Sequence, residues 1–166
     1  RNVVENNSQT KFEGYLTDVL GYKAVDFIDK NHQSNSPFFL FLSFNAPHTP
    51  MHAKKEVLEK FKDNPRKVYA SMMWSMDEAI GSVINELKEN GQYDNTIIYF
   101  LSDNGAAKSN NASPCPFKGW KGNQYEGGVK TPMIMTWKNK IKPKTQFNGF
   151  ISVSYTHLTL PTIRSV

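Results

Sequence analysis

"FFLFLSFNAPHTPMH", residues 38–52, changes character half-way along. Its first seven residues are apolar apart from Ser43 and are entered from Pro37. A short continuous apolar run of this kind predicts a strand buried on both faces, as the central strands of parallel sheets are. Pro47 and Pro50 then exclude a helix and make the remainder a loop at the strand's end. On both sides the spacing becomes helical. Leu16, Leu20, Ala24, Phe27 and Ile28 predict an amphipathic helix over 17–31, ended by the polar "NHQSNSP". Val57, Leu58 and Phe61 predict a short helix, and Met72, Met76, Ile80, Val83 and Leu87 a long one from Arg66 to Asn90, closed by Gly91. The methionines in that stripe are read as core, not as a cofactor box. "TIIYFLS" (96–102) and "PMIMTW" (132–137) repeat the short apolar pattern, and "GFISVS" (149–154) offers a fourth strand. Strands alternating with helices predict an α/β fold with a mainly parallel central sheet flanked by helices, and no repeat or linker divides it.

The totals bound the function. A length of 166 residues, 39% of them hydrophobic and 21% charged, suits one globular domain with a core. The run Phe38–Phe44 is far too short to cross a bilayer, so no membrane span is expected. The opening Arg1 and the polar, Asn-rich stretch behind it show no start methionine and no signal peptide. The sequence is therefore read as part of a longer chain, with any targeting segment upstream. Cys115, the single cysteine, excludes an intrachain disulfide framework and is read as a loop residue between Pro114 and Pro116. A net charge of +5 suits an anionic ligand. The lysines are scattered rather than gathered with interleaved aromatics, which argues against nucleic acid.

In open α/β sheets ligands bind beyond the carboxyl ends of the strands. Three loops occupy that position: "NAPHTP" (45–50), "DNG" (103–105) and "KGWKGNQYEGGV" (118–129). His48 and His52 stand four apart like helical zinc ligands, but the prolines deny them a helix, and a lone loop histidine is more often structural or solvated. Asp103 and Asn104 offer two adjacent hard oxygen ligands suited to Ca²⁺ or Mg²⁺. The competing explanation is a tight Asn-Gly turn, weakened here because "AAKSNNASPCP" is no return strand. In the third loop glycines let backbone approach a ligand and Lys121 supplies a compact positive charge, a combination made for an oxyanion. It is neither a Walker loop nor a dinucleotide fingerprint.

Taken in order, "PFFLFLSFNAPHTPMHA", "MDEAIGSVINELKENGQYDNTIIYFLSDNGA" and "WKGNQYEGGVKTPMIMTW" resemble the sulfatase family, of arylsulfatase type within the alkaline-phosphatase-like superfamily. The resemblance runs from Tyr15 to Ser152, and Lys-Gly-x-x-Tyr-Glu-Gly-Gly-Val-Lys-x-Pro at 121–132 is its strongest piece. It implies a sulfuric ester hydrolase acting on aryl or glycan sulfates. It places His48 near the leaving-group oxygen, Lys121 on a sulfate oxygen, and Asp103 and Asn104 on a divalent cation, usually Ca²⁺, with Mg²⁺ as the alternative. Tyr125 and Glu126 would hold the loop or touch substrate. The family's nucleophile is a formylglycine made from a Cys/Ser-x-Pro-x-Arg motif, and an upstream Asp-Asp pair completes its metal site. Neither occurs in these residues, and Cys115, followed by "PFKGW", is no substitute. Residues 1–153 are thus expected to be part of a catalytic domain, inactive alone. Residues 154–166, "YTHLTLPTIRSV" and the serine before it, are expected to depart from the family pattern, with no role for His157. Family analogy implies a periplasmic, lysosomal or secreted protein and leaves the particular substrate and the oligomeric state open. Two alternatives stand beside it. One is a phosphohydrolase or phosphotransferase of the same superfamily; the other is a non-catalytic module binding sulfated glycans through Lys118, Lys121 and Lys130.

Overall fold

A computed structural model describes residues 2–34, 36–147 and Gly149. The chain opens with a hairpin of β1 (Asn2–Glu5) and β2 (Ser8–Lys11). Its two-residue turn is Asn6-Asn7, both with positive φ (49° and 65°), and asparagine is the residue that tolerates that conformation best after glycine. This hairpin was not anticipated: apart from Val3 and Val4 its strands are polar, and they carry no aromatic residue to announce them.

Three helices follow: α1 (Leu16–Asn31), α2 (Lys55–Lys60) and α3 (Lys67–Glu89), with α1 and α3 within one residue of their sequence-based limits and α2 short, as expected. The stripe on α1 puts Ala24 and Ile28 in the interior, where Ile28 is only 1% exposed. Burying such a side chain contributes roughly 1.5–3 kcal/mol. α1 packs along α3, and Gly21 meets Ala79 so closely that a Cβ at Gly21 would stand 2.9 Å from the Ala79 methyl. Met72 and Met76 are buried with Ala46 and Ala53, and Phe44, Met51, Leu58 and Ile80 pack on them. The methionines are core, as expected. Asp18 in the first turn of α1 receives a 2.8 Å ion pair from Lys54, which leads into α2. Burial lowers the pKa of Lys54, but the hydrogen bond and the charge of Asp18 outweigh that effect and hold it above the ordinary 10.5.

The strands require correction. β3 (Ile98–Leu101) and β4 (Met133–Thr136) form where the apolar runs predicted them, but they pair antiparallel, Ile98 opposite Thr136 and Leu101 opposite Met133. A parallel pair needs a crossover, usually a helix, and the connection between these two carries only two short turns, the 3₁₀ turn Lys108–Asn110 and α4 (Glu126–Val129). Tyr99 (52% exposed) and Ile134 (63%) are also open, so neither strand is covered on both faces. Residues 38–44 form no strand and belong to no ladder among the described residues, and Phe39 and Phe41 are exposed. The apolar run predicted a strand that does not form here. Burial on both faces depends on neighbours that these residues do not supply to it. The fourth strand expected at 149–154, the departure expected over 154–166 and His157 lie outside the described residues, Gly149 excepted.

Candidate active site

The turn after β3 and the glycine-rich loop touch through backbone. Gly105 N–H donates to Gly128 C=O (3.0 Å), Lys121 N–H to Ala106 C=O (2.8 Å) and Ser102 N–H to Pro132 C=O (3.3 Å). No side chain could stand between them. A Cβ on Gly105 would collide with the carbonyl of Gly127, and one on Gly127 with the carbonyl of Gly119. Gly127 and Gly128, in α4, are buried for the same reason. At Gly119 and Gly122 the requirement is conformational, with φ of 92° and 88°. "KGWKGNQYEGGV" is glycine-rich because it must fold against a neighbouring main chain while it presents lysine.

The loop after residue 44 joins the same cluster. His48 N–H donates to Asn45 C=O (2.8 Å), closing a turn, and no helix forms there. Asn110 is buried, and its amide donates to Pro47 C=O (3.0 Å), fastening this loop to the segment beyond β3. Sequence reasoning missed Asn110. It lies in the polar stretch "AAKSNNASPCP", and nothing marks it there except two adjacent asparagines.

His48 and Lys121, 73 residues apart in sequence, meet with the ammonium Nζ 3.2 Å from His48 Nε2. His48 Nδ1 lies 2.7 Å from Thr49 C=O, which can only accept, so Nδ1 carries the hydrogen and Nε2 offers its lone pair to the lysine. Among the described residues Lys121 forms no ion pair with a carboxylate. Two exposed groups that carry or accept positive charge therefore face one another with no counter-charge between them, an arrangement that favours a bound oxyanion.

The other lysines of the loop are engaged differently. Lys118 lies over the Tyr125 ring (4.4 Å to the centroid), and Lys130 pairs with Glu126 (3.3 Å) and lies over Phe117 (4.6 Å). Glu126 and Tyr125 thus touch lysines within their own loop. His52 is drawn elsewhere, since its carbonyl accepts the Tyr15 hydroxyl (2.9 Å) and its ring faces the Tyr15 ring. Cys115 is exposed, with its N–H on Ser113 Oγ.

Asp103 and Asn104 begin the turn that Gly105 anchors to Gly128, and Ser102 Oγ donates to Asn104 C=O (2.9 Å). Asp103 is exposed. The pair supplies hard oxygen donors, the chemistry a group 2 cation requires. No cluster of three His, Cys, Asp or Glu side chains with metal-holding potential occurs among the described residues. The residues present fit part of a cation's shell.

The loops that follow residue 44 and β3 and the glycine-rich loop thus meet, and they bring a histidine and a lysine together. The Sulfatase family model matches residues 1–162. The uncharacterized sulfatase YdeN of Escherichia coli K12 is 37% identical over 147 residues, covering 84% of this chain and 26% of that protein. The N-acetylgalactosamine-6-sulfatase of Mus musculus is 33% identical over 133 residues, covering 78% and 25%. The crystal structure of Ps i-CgsB in complex with k-i-k-neocarrahexaose superposes with a TM-score of 0.88 at 38% identity, over 95% of this chain and 36% of that one. The chain belongs to the sulfatase family, and its α/β fold is that of these proteins. It spans about a quarter of the length of the curated relatives it matches. Among the described residues no helix is long and apolar enough to cross a membrane.

Proposed function

We propose that the protein to which residues 1–153 contribute part of the catalytic domain is a sulfuric ester hydrolase acting on sulfated glycans. The observation that carries this is the approach of Lys121 Nζ to His48 Nε2 at 3.2 Å, with no carboxylate paired to the lysine among the described residues. Sulfuryl transfer spreads negative charge over the non-bridging oxygens, and a positioned cation stabilises that charge more in the transition state than in the ground state. Lys121 holds a sulfate oxygen. His48, hydrogen-bonded through Nδ1 to Thr49, keeps Nε2 directed at the same place and passes a proton to the departing alcohol oxygen once it has taken one up. Asp103 and Asn104 hold a divalent cation, Ca²⁺ before Mg²⁺, together with ligands from outside these residues. When bound, that cation neutralises sulfate charge and acts as a Lewis acid. The nucleophile, a formylglycine by family resemblance, is likewise supplied from outside residues 1–153.

Two of the relatives support a glycan, one named N-acetylgalactosamine-6-sulfatase and one crystallised with a neocarrahexaose, while a third is named an arylsulfatase. Calorimetry tests the metal assignment. Asp103→Ala in the full-length protein should weaken Ca²⁺ binding by more than about a hundredfold, beyond the roughly 10–100-fold cost of an outer-shell change. Unchanged binding removes Asp103 from the site.

A further inference from the structure

Next to Lys121 the surface dips into a hollow of about 300 Å³ lined by Ala107, Lys108, Ser109, Trp120, Lys121 and Asn123. We propose that this hollow receives the sugar of the substrate and that Lys108 holds a second anionic group on it, a sulfate or a carboxylate, making the enzyme selective for doubly anionic saccharides. The inference rests on the sulfatase activity proposed above and concerns the substrate beyond the scissile ester.

Composition of the walls supports it. Two of the six lining residues are lysines and none is acidic. Lys121 is committed to the scissile sulfate beside His48. Lys108 is exposed, forms no ion pair with a carboxylate among the described residues, and lies 5.5 Å above the centroid of the Trp120 ring. An ammonium held over an indole keeps its charge and spare donors for a ligand while its stem is restrained. Trp120 adds an apolar wall, and Ser109 and Asn123 add the hydroxyl and amide that sugar hydroxyls require. The Asn123 Oδ1 atom accepts Trp120 N–H (2.9 Å), which leaves the amide N–H groups as donors.

The wall carrying Lys108 is also held in place. Lys108–Asn110 forms a 3₁₀ turn ended by Asn111 at a φ of 58°, and buried Asn110 ties that turn to Pro47, next to His48. The opposite wall is fixed by Lys121 N–H on Ala106 C=O. Lys108 therefore stands at a set place relative to the groups proposed to bind the scissile sulfate, as a second anion at a fixed position on one sugar demands.

The test compares the positional isomers of galactose disulfate and a monosulfated galacturonate with the galactose monosulfates, on full-length wild type and Lys108→Gln. Binding is read by calorimetry and turnover separately. Wild type should bind the best doubly anionic sugar roughly tenfold more tightly than the monosulfates, the range for one hydrogen bond to a charged group. Lys108→Gln should erase that preference, raise KM and leave kcat unaltered, with monosulfate affinity unchanged; the galacturonate arm tells a carboxylate from a sulfate. Equal affinities in wild type, or a preference that survives Lys108→Gln in the folded protein, overturns the proposal. Preferential binding without turnover would overturn the sulfatase activity and keep the anion subsite; turnover without preference would do the reverse.

Discussion

Ile28 on α1 is buried in the layer where α1 packs along α3, whereas Gly105, after β3, is walled by the carbonyl of Gly127. The two regions solve packing with different materials. Along α1 and α3, side chains fill the gap, and one lost methyl group can be met by partial relaxation of its neighbours. Where the loops meet, main chain lies on main chain, and directional hydrogen bonds set the position of each functional group. Damage to the first region should therefore cost stability and spare chemistry in the surviving folded molecules. Damage to the second should cost chemistry out of proportion to stability.

The largest expected effect is on the helical side. Ile28→Ala should destabilise by about 2–5 kcal/mol, the range for emptying a fully buried aliphatic site. Urea unfolding measures it. If kcat/KM per folded molecule also falls, the separation between the two regions is false.

On the loop side, Lys121→Ala in the full-length enzyme should lower kcat/KM for a sulfate ester about a hundredfold, equivalent to about 2.7 kcal/mol of transition-state stabilisation. Lys118→Ala and Lys130→Ala should do far less, because their ammonium groups lie over Tyr125 and beside Glu126. Three equal losses, each screened by added salt, would show that general basic charge matters and the pairing with His48 does not. Gly105→Ala comes next, at about 1–3 kcal/mol of strain. Its distinguishing readout is activity lost at temperatures where circular dichroism shows the fold intact.

The smallest effect sharpens the helical side. Asp18→Asn removes the partner of Lys54 and should cost about 1 kcal/mol at neutral pH, as a partly buried pair does. Because the folded-state pKa of Lys54 is raised above 10.5, the pair's contribution is fully present below that value and lost as pH rises through the folded pKa. The wild type and Asp18→Asn should therefore converge in stability in alkaline solution. A constant difference from neutral pH upward would assign the effect to Asp18 at the N-terminus of α1, through the helix dipole.

The amino-acid sequence by itself determined the helices, because a period of 3.6 in residues such as Ala24, Ile28, Met72 and Met76 is a local property that needs only some apolar partner. It also marked two loops that meet: Asn-Gly after one strand and the Gly-Gly of the lysine loop each state a backbone requirement in residue types. Only the tertiary structure decided that Lys121, and not Lys118 or Lys130, reaches His48, since three lysines within one loop are alike in sequence and differ in what lies across from them. It decided Asn110 as well, whose bond to Pro47 spans 63 residues that no local pattern connects. And it decided that β3 and β4 pair antiparallel, because the direction of a ladder belongs to the path of the intervening chain, while an apolar run such as "IYFL" is the same in either direction.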